Sequence, residues 1–137
     1  MVNWLERGLA ANSQLWTIGF WHHLPYSKGS HDSDSEKSLV NMREHILPVL
    51  ERHGVDLVLS GHSHSYEQSY LINEHDGDSS TFHSNMLINA ANGRESDSGA
   101  YSKRRGDNDF GTVFIVAGSS GRVSDGDWNH LVMRTHF

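Results

Sequence analysis

The chain has 137 residues, with 11 Lys and Arg against 17 Asp and Glu for a formal charge of −6, and it contains 11 histidines and no cysteine. That length fits one domain, since domains run roughly 100–200 residues. The acidic balance argues against a basic face for nucleic acid, and Lys103-Arg104-Arg105 is the one locally basic patch. The lack of cysteine excludes a disulfide framework, a thiolate zinc site and a thiol nucleophile.

Trp4, Leu5, Leu9 and Ala10 lie at helical spacing and predict an amphipathic helix over residues 2–12. Residues 15–21 follow as an apolar, aromatic and β-branched run with the length of a buried strand. It stops at His22-His23-Leu24-Pro25, where proline ends regular pairing. Residues 28–37 are polar and read as an exposed loop. Within it, Asp32-Ser33-Asp34-Ser35-Glu36 starts like a calcium loop but lacks the glycine and closing glutamate of one, so capping of the next helix is expected.

Leu39, Met42, Ile46, Val49 and Leu50 recur every three or four residues and predict a helix over 38–52, kinked or restarted at Pro48 and stopped at His53-Gly54. A second short apolar run, 55–59, opens directly into Gly61-His62-Ser63-His64. Further on, 66–73 reads as a strand, 74–84 as a polar loop and 86–89 as a short apolar piece. Residues 92–110 form a long charged stretch that includes Asp107-Asn108-Asp109, expected to be a solvated turn. Residues 111–117 are the clearest strand of this half, ended by the turn Gly118-Ser119-Ser120-Gly121, and 131–137 read as a last short strand. Helix, strand and polar loop in alternation predict an α/β layered fold whose functional groups collect where strands end.

Histidine is a frequent metal ligand. In an extended segment His62 and His64 would share a face and could approach one ion or two adjacent ions. Adjacent residues face opposite ways, so one of His22 and His23 is expected to face a shared site. His45, His53, His75, His83, His130 and His136 have no partner pattern and are expected at the surface or at caps. Apolar stretches fall far short of the roughly 20 residues of a membrane helix, and no charged-then-apolar leader follows Met1.

The segments Trp16-Thr17-Ile18-Gly19-Phe20-Trp21-His22-His23-Leu24-Pro25-Tyr26-Ser27 and Gly54-Val55-Asp56-Leu57-Val58-Leu59-Ser60-Gly61-His62-Ser63-His64-Ser65-Tyr66-Glu67 resemble the last two motif blocks of calcineurin-like metallophosphoesterases. The resemblance is to the purple acid phosphatase-like branch, and residues 111–121 resemble the strand and glycine turn that follow there. The implied fold is α/β (α+β layered), part of a metallophosphoesterase β-sandwich flanked by helices. Members of the family use two metal ions about 3.5–4 Å apart, of the Fe, Zn or Mn type, to activate water for in-line attack on phosphate esters. By resemblance, His22 and His62 are ligands of the second ion and His64 of the first. His31 corresponds to the histidine that protonates the leaving group, and His23 contacts phosphate or packs behind the site.

Three earlier blocks of the family are not found in this sequence: Asp-x-Gly/Asp, Gly-Asp-x-x-Tyr with its bridging aspartate, and Gly-Asn-His-Glu/Asp. The resemblance therefore implies that residues 1–137 are the C-terminal part of a metallophosphoesterase domain. Three imidazoles without the bridging carboxylate cannot hold two ions. At most one weakly bound ion is expected on this chain, through His22 and His62 with His64 nearby, and little phosphatase activity. The alternative is a catalytically inactive module that binds metal weakly or pairs with a missing half. An apolar sheet edge or face should be exposed and promote self-association. The branch is often secreted or periplasmic, and the sequence carries no address that decides the compartment.

Overall fold

The helical periodicities and strand-length runs become a layer of helix against a mixed sheet. The computed structural model describes residues 1–96, 99–103 and 111–137. In chain order the elements are α1 (Val2–Ala10), β1 (Ile18–Trp21), α2 (Lys37–Arg52), β2 (Leu57–Ser60), β3 (Tyr66–Ser69), β4 (Leu71–Ile72), β5 (Leu87–Asn89), β6 (Val113–Ala117) and β7 (Met133–His136), with 3₁₀ turns at Ser79–Thr81 and Ser84–Met86. The main sheet has the order β1-β2-β6-β3-β7, and β4 and β5 form a separate pair. Strands β1, β2 and β6 run parallel, while β3 is antiparallel to both β6 and β7.

Register decides which face α2 covers. Gly19, Val58 and Phe114 stand side by side, as do Trp21, Ser60 and Val116, so alternation puts these on one face. Val58 and Phe114 pack there with Ile46, Leu47 and Leu50 of α2 and with Tyr26, Ile72 and Val132. Ile18, Phe20, Leu59 and Ile115 belong to the opposite face, which no helix covers among the described residues. Ile18 is 56% and Phe20 80% exposed on the edge strand β1.

Helix α2 runs unbroken through Pro48, contrary to a restart there. Its last turn ends with Gly54 at φ 67°, the left-handed geometry in which glycine carries no Cβ penalty. In α1, Val2, Leu5 and Leu9 pack on the core, whereas Trp4, placed on the apolar stripe by spacing alone, is 69% exposed. At 100° per residue Trp4 lies at least 100° round the helix from each of residues 2, 5 and 9. The run at 66–73 is two strands rather than one. A register shift at Gln68/Ser69 lets β3 pair with β6 and β7 before β4 turns away to β5.

Two histidines expected at the surface are buried instead: His75 and His130 flank the Tyr26 ring at centroid distances of 5.4 and 5.5 Å. Asp32 and Asp34, expected as helix caps, bind Lys28 Nζ at 2.5 and 2.9 Å instead. Lys103 pairs with Asp56 at 2.8 Å, while Arg104, Arg105 and the Asp107-Asn108-Asp109 turn lie outside the described residues. Among the described residues no helix is long and apolar enough to cross a membrane.

Candidate metal centre

Parallel pairing of β1 with β2 brings two histidine-bearing strand ends together. Trp21 and Ser60 are the last paired residues, and just beyond them the Gly61 N–H donates to the His22 carbonyl at 3.2 Å. The next side chains are His22 and His62, and His22 Nε2 lies 3.0 Å from His62 Nδ1. The His23 ring borders the same opening, 5.4 Å from His22 and 5.2 Å from His62 by ring centroids. His31 arrives from the loop before α2 and stacks on His62 at 3.8 Å. Four of the five histidines singled out from the sequence therefore meet at the carboxyl ends of the strands.

His64 does not join them by the route expected. The segment 61–65 is bent rather than extended, and His62 itself has φ 67°, so alternation of faces does not apply beyond Ser60. The His64 ring makes no hydrogen bond or ring contact among the described residues. Its backbone N–H donates to Ser30 Oγ at 3.0 Å. A non-glycine residue in the left-handed region costs about 1 kcal/mol or more and persists where its surroundings hold it.

Those surroundings are a buried hydroxyl network. Glu67, 1% exposed on β3, accepts from Ser27 Oγ at 2.5 Å, Ser65 Oγ at 2.8 Å and the Lys28 N–H at 3.3 Å. Ser63 Oγ accepts from the Ser30 N–H at 3.0 Å. One carboxylate thus ties the loop that carries His31 to the loop that carries His62. Glu67 stands in the motif block, yet its role is visible only once β3 is placed. Gly118 closes the cluster from behind. Its N–H donates to the Ser65 carbonyl at 3.0 Å, and a Cβ there would fall on the Ser63 carbonyl oxygen.

The residue that sequence reasoning missed is Glu36. Its carboxylate accepts from the His31 ring at 2.8 Å and the Asp32 N–H at 3.1 Å, and lies 3.6 Å from His62 Nε2. Burial pushes the Glu36 carboxyl up, but the His31 and Asp32 hydrogen bonds outweigh this and hold it below the usual value. An ionised carboxylate only accepts, so His31 Nδ1 donates to Glu36. The His62 imidazole is pushed below its usual range, first by partial burial and then by neighbouring His31 and His22 against the pull of Glu36. The signal for Glu36 was the acidic run before α2, attributed in the sequence to capping. As the N-cap residue, however, Glu36 makes no side-chain cap bond.

The separation of 3.0 Å between His22 Nε2 and His62 Nδ1 matches two ligands at right angles on one ion, since bonds of roughly 2.1 Å place neighbouring donors about 3.0 Å apart. The residues present therefore fit a transition-metal ion at this pair. A neutral imidazole donor set suits zinc, copper, iron or nickel. His31, Glu36 and His62 also offer three donor atoms within 4.8 Å of one another.

The family described as calcineurin-like phosphoesterase matches residues 2–66. The curated Purple acid phosphatase 17 of Arabidopsis thaliana is 37% identical over 60 residues, which is 44% of this chain and 16% of that protein. The solved structure of purple acid phosphatase PPD1 from seeds of yellow lupin, Lupinus luteus, superposes with a TM-score of 0.66 at 18% identity, covering 98% of this chain and 21% of that one. At that identity the likeness to the lupin protein shows the fold. The chain spans about a fifth or less of the length of each of these relatives.

Proposed function

We propose that this chain, a calcineurin-like phosphoesterase over residues 2–66 with purple acid phosphatase homology, supplies the histidine face of a centre that hydrolyses phosphate esters. The observation that carries the reading is the pair His22 Nε2 and His62 Nδ1, 3.0 Å apart at two parallel strand ends with His31 stacked on His62. In this reading His22 and His62 hold one ion and His64 belongs to the second. The ions, when bound, supply a polarised phosphoryl oxygen and an activated water.

His31 is the proton donor to the leaving oxygen. Glu36 holds its Nδ1 edge, so in this reading the Nε2 edge is the one that exchanges a proton. His23, exposed beside the pair, is placed to donate to a phosphate oxygen. Among the described residues Glu36 is the carboxylate that meets the histidine cluster, and one carboxylate offsets little of the charge of two ions. That favours a second reading for the chain by itself: a metal-binding module with little turnover. The purified chain with added Fe, Mn or Zn is accordingly expected to hydrolyse p-nitrophenyl phosphate at background rate.

The test is a chimera in which residues 2–66 replace the matching region of a purple acid phosphatase. It should retain metal-dependent hydrolysis, and His22→Ala or His62→Ala in it should lower kcat by at least about 100-fold. His31→Ala should lower kcat roughly 100-fold with little change in metal content. A chimera whose activity ignores His22 and His62 refutes the reading.

A further inference from the structure

We infer that the Nε2 side of His62, with His31 and Glu36, forms a second cation site that is separate from the His22 pair and suited to a zinc-type divalent ion. An imidazole has nitrogens on opposite edges. His62 turns Nδ1 to His22, which leaves Nε2 facing Glu36 at 3.6 Å. Glu36 in turn lies 2.8 Å from His31 Nδ1, and one donor atom from each of the three residues falls within 4.8 Å of the others. Donors around an ion with bonds of roughly 2.1 Å are separated by about 3.0–4.2 Å. The His31 ring stands on a loop and is 31% exposed, and an ion here takes the place of the proton that its Nδ1 donates to Glu36.

The orientation of Glu36 is the independent observation. Ser, Thr, Asp and Asn are the residues that turn an N-cap side chain back to the first helical N–H groups, and glutamate is not among them. Glu36 makes no such bond; its carboxylate points at the two rings and is braced there by the Asp32 N–H. Two imidazole nitrogens and one carboxylate oxygen favour zinc, cobalt or nickel over magnesium or calcium. The carboxylate also brings a negative charge that the His22 pair lacks, so the isolated chain takes up the ion on the Glu36 side first. This site goes beyond the phosphoesterase reading, in which His62 acts through Nδ1 alongside His22.

The test is Zn²⁺ binding to the full chain, followed by calorimetry and by the ring-nitrogen NMR shifts of the histidines. In the unsubstituted chain Zn²⁺ should move the His62 Nε2 and His31 Nδ1 resonances and separate the stacked rings. Glu36→Gln should weaken Zn²⁺ binding by roughly 10-fold or more, while His45→Ala, at an exposed histidine of α2, leaves it unchanged. The inference is overturned if the ion shifts His62 Nδ1 and His22 instead, if His22→Ala is the variant that weakens binding, or if the chain shows no saturable uptake. Because the ring shifts are read without any substitution, a poorly folded variant cannot decide the matter. Binding at Nδ1 with His22 would remove this site and leave the phosphoesterase reading intact.

Discussion

Acidification should selectively destabilise this fold through His130. The His130 residue is 3% exposed; its Nδ1 accepts from the Val132 N–H at 3.3 Å, and its Nε2 is buried with no hydrogen-bond partner among the described residues. Burial, with His75, Arg43 and Lys28 acting in the same direction against Asp34, pushes this imidazole down to about 4 from 6.5. The native state therefore keeps His130 neutral at pH values where the unfolded chain binds a proton. Its contribution is complete above about pH 6.5 and is lost as pH falls toward 4. A difference of about 2.5 units at 1.36 kcal/mol each amounts to roughly 3 kcal/mol. Burial also lowers the His75 imidazole, which adds to the loss with the same sign.

Glu51 acts in the opposite sense. Burial, with Asp76 and Glu74 nearby and despite the Glu74 N–H, pushes its carboxyl up to about 7 from 4.5. Its contribution is present below about pH 4.5 and fades as pH rises through 7, so the two groups offset one another in the whole-protein profile. The measurement is consequently a difference. Urea unfolding of the wild type and of His130→Phe is followed from pH 7 to pH 4. The substitution keeps an aromatic edge against Tyr26 and leaves the Val132 N–H unpaired, which is a constant offset because that group does not titrate. The stability difference between the two proteins should shift by about 3 kcal/mol across the range. A difference that stays flat with pH refutes the reasoning.

Glu67→Ala removes the acceptor shared by Ser27, Ser65 and the Lys28 N–H, and should cost about 2–4 kcal/mol in urea unfolding while broadening the His31 and His62 ring signals. An unaltered pair of ring signals would show that the network does not hold the loops. Gly118→Ala drives a methyl group into the Ser63 carbonyl, so a loss of about 1–3 kcal/mol and a displaced His62 resonance are expected. We propose that the chain self-associates through the uncovered apolar face at the β1 edge, where Phe20 is 80% exposed. Phe20→Lys should shift sizing chromatography toward the monomer; an unchanged elution at equal concentration contradicts this.

Much of the fold was legible in the sequence because periodicity records burial directly. The stripe from Leu39 to Leu50 gave α2 to within one residue, and the runs ending at His22 and Gly61 gave the parallel strand ends where the site lies. Reading failed where a contact from far along the chain overrides local pattern. The 66–73 run breaks because β6, β7 and β5 compete for it, and Trp4 lies off the buried side of a helix whose stripe is set by neighbouring elements. His75 and His130 looked like surface residues because nothing near them in sequence announces Tyr26.

The site divides along the same line. The sequence by itself determined which side chains are available: His22, His23, His31, His62 and His64, at strand ends and loops whose composition allows ligation and proton transfer. Only the tertiary structure decided which of them meet, because pairing of β1 with β2 and the tie from Glu67 set distances across 40 residues of chain. It also turned Glu36 from a helix cap into the partner of two imidazoles and bent the backbone between His62 and His64. Ligand geometry depends on angles and on separations of a few tenths of an ångström, and residue spacing along the chain carries no information at that scale.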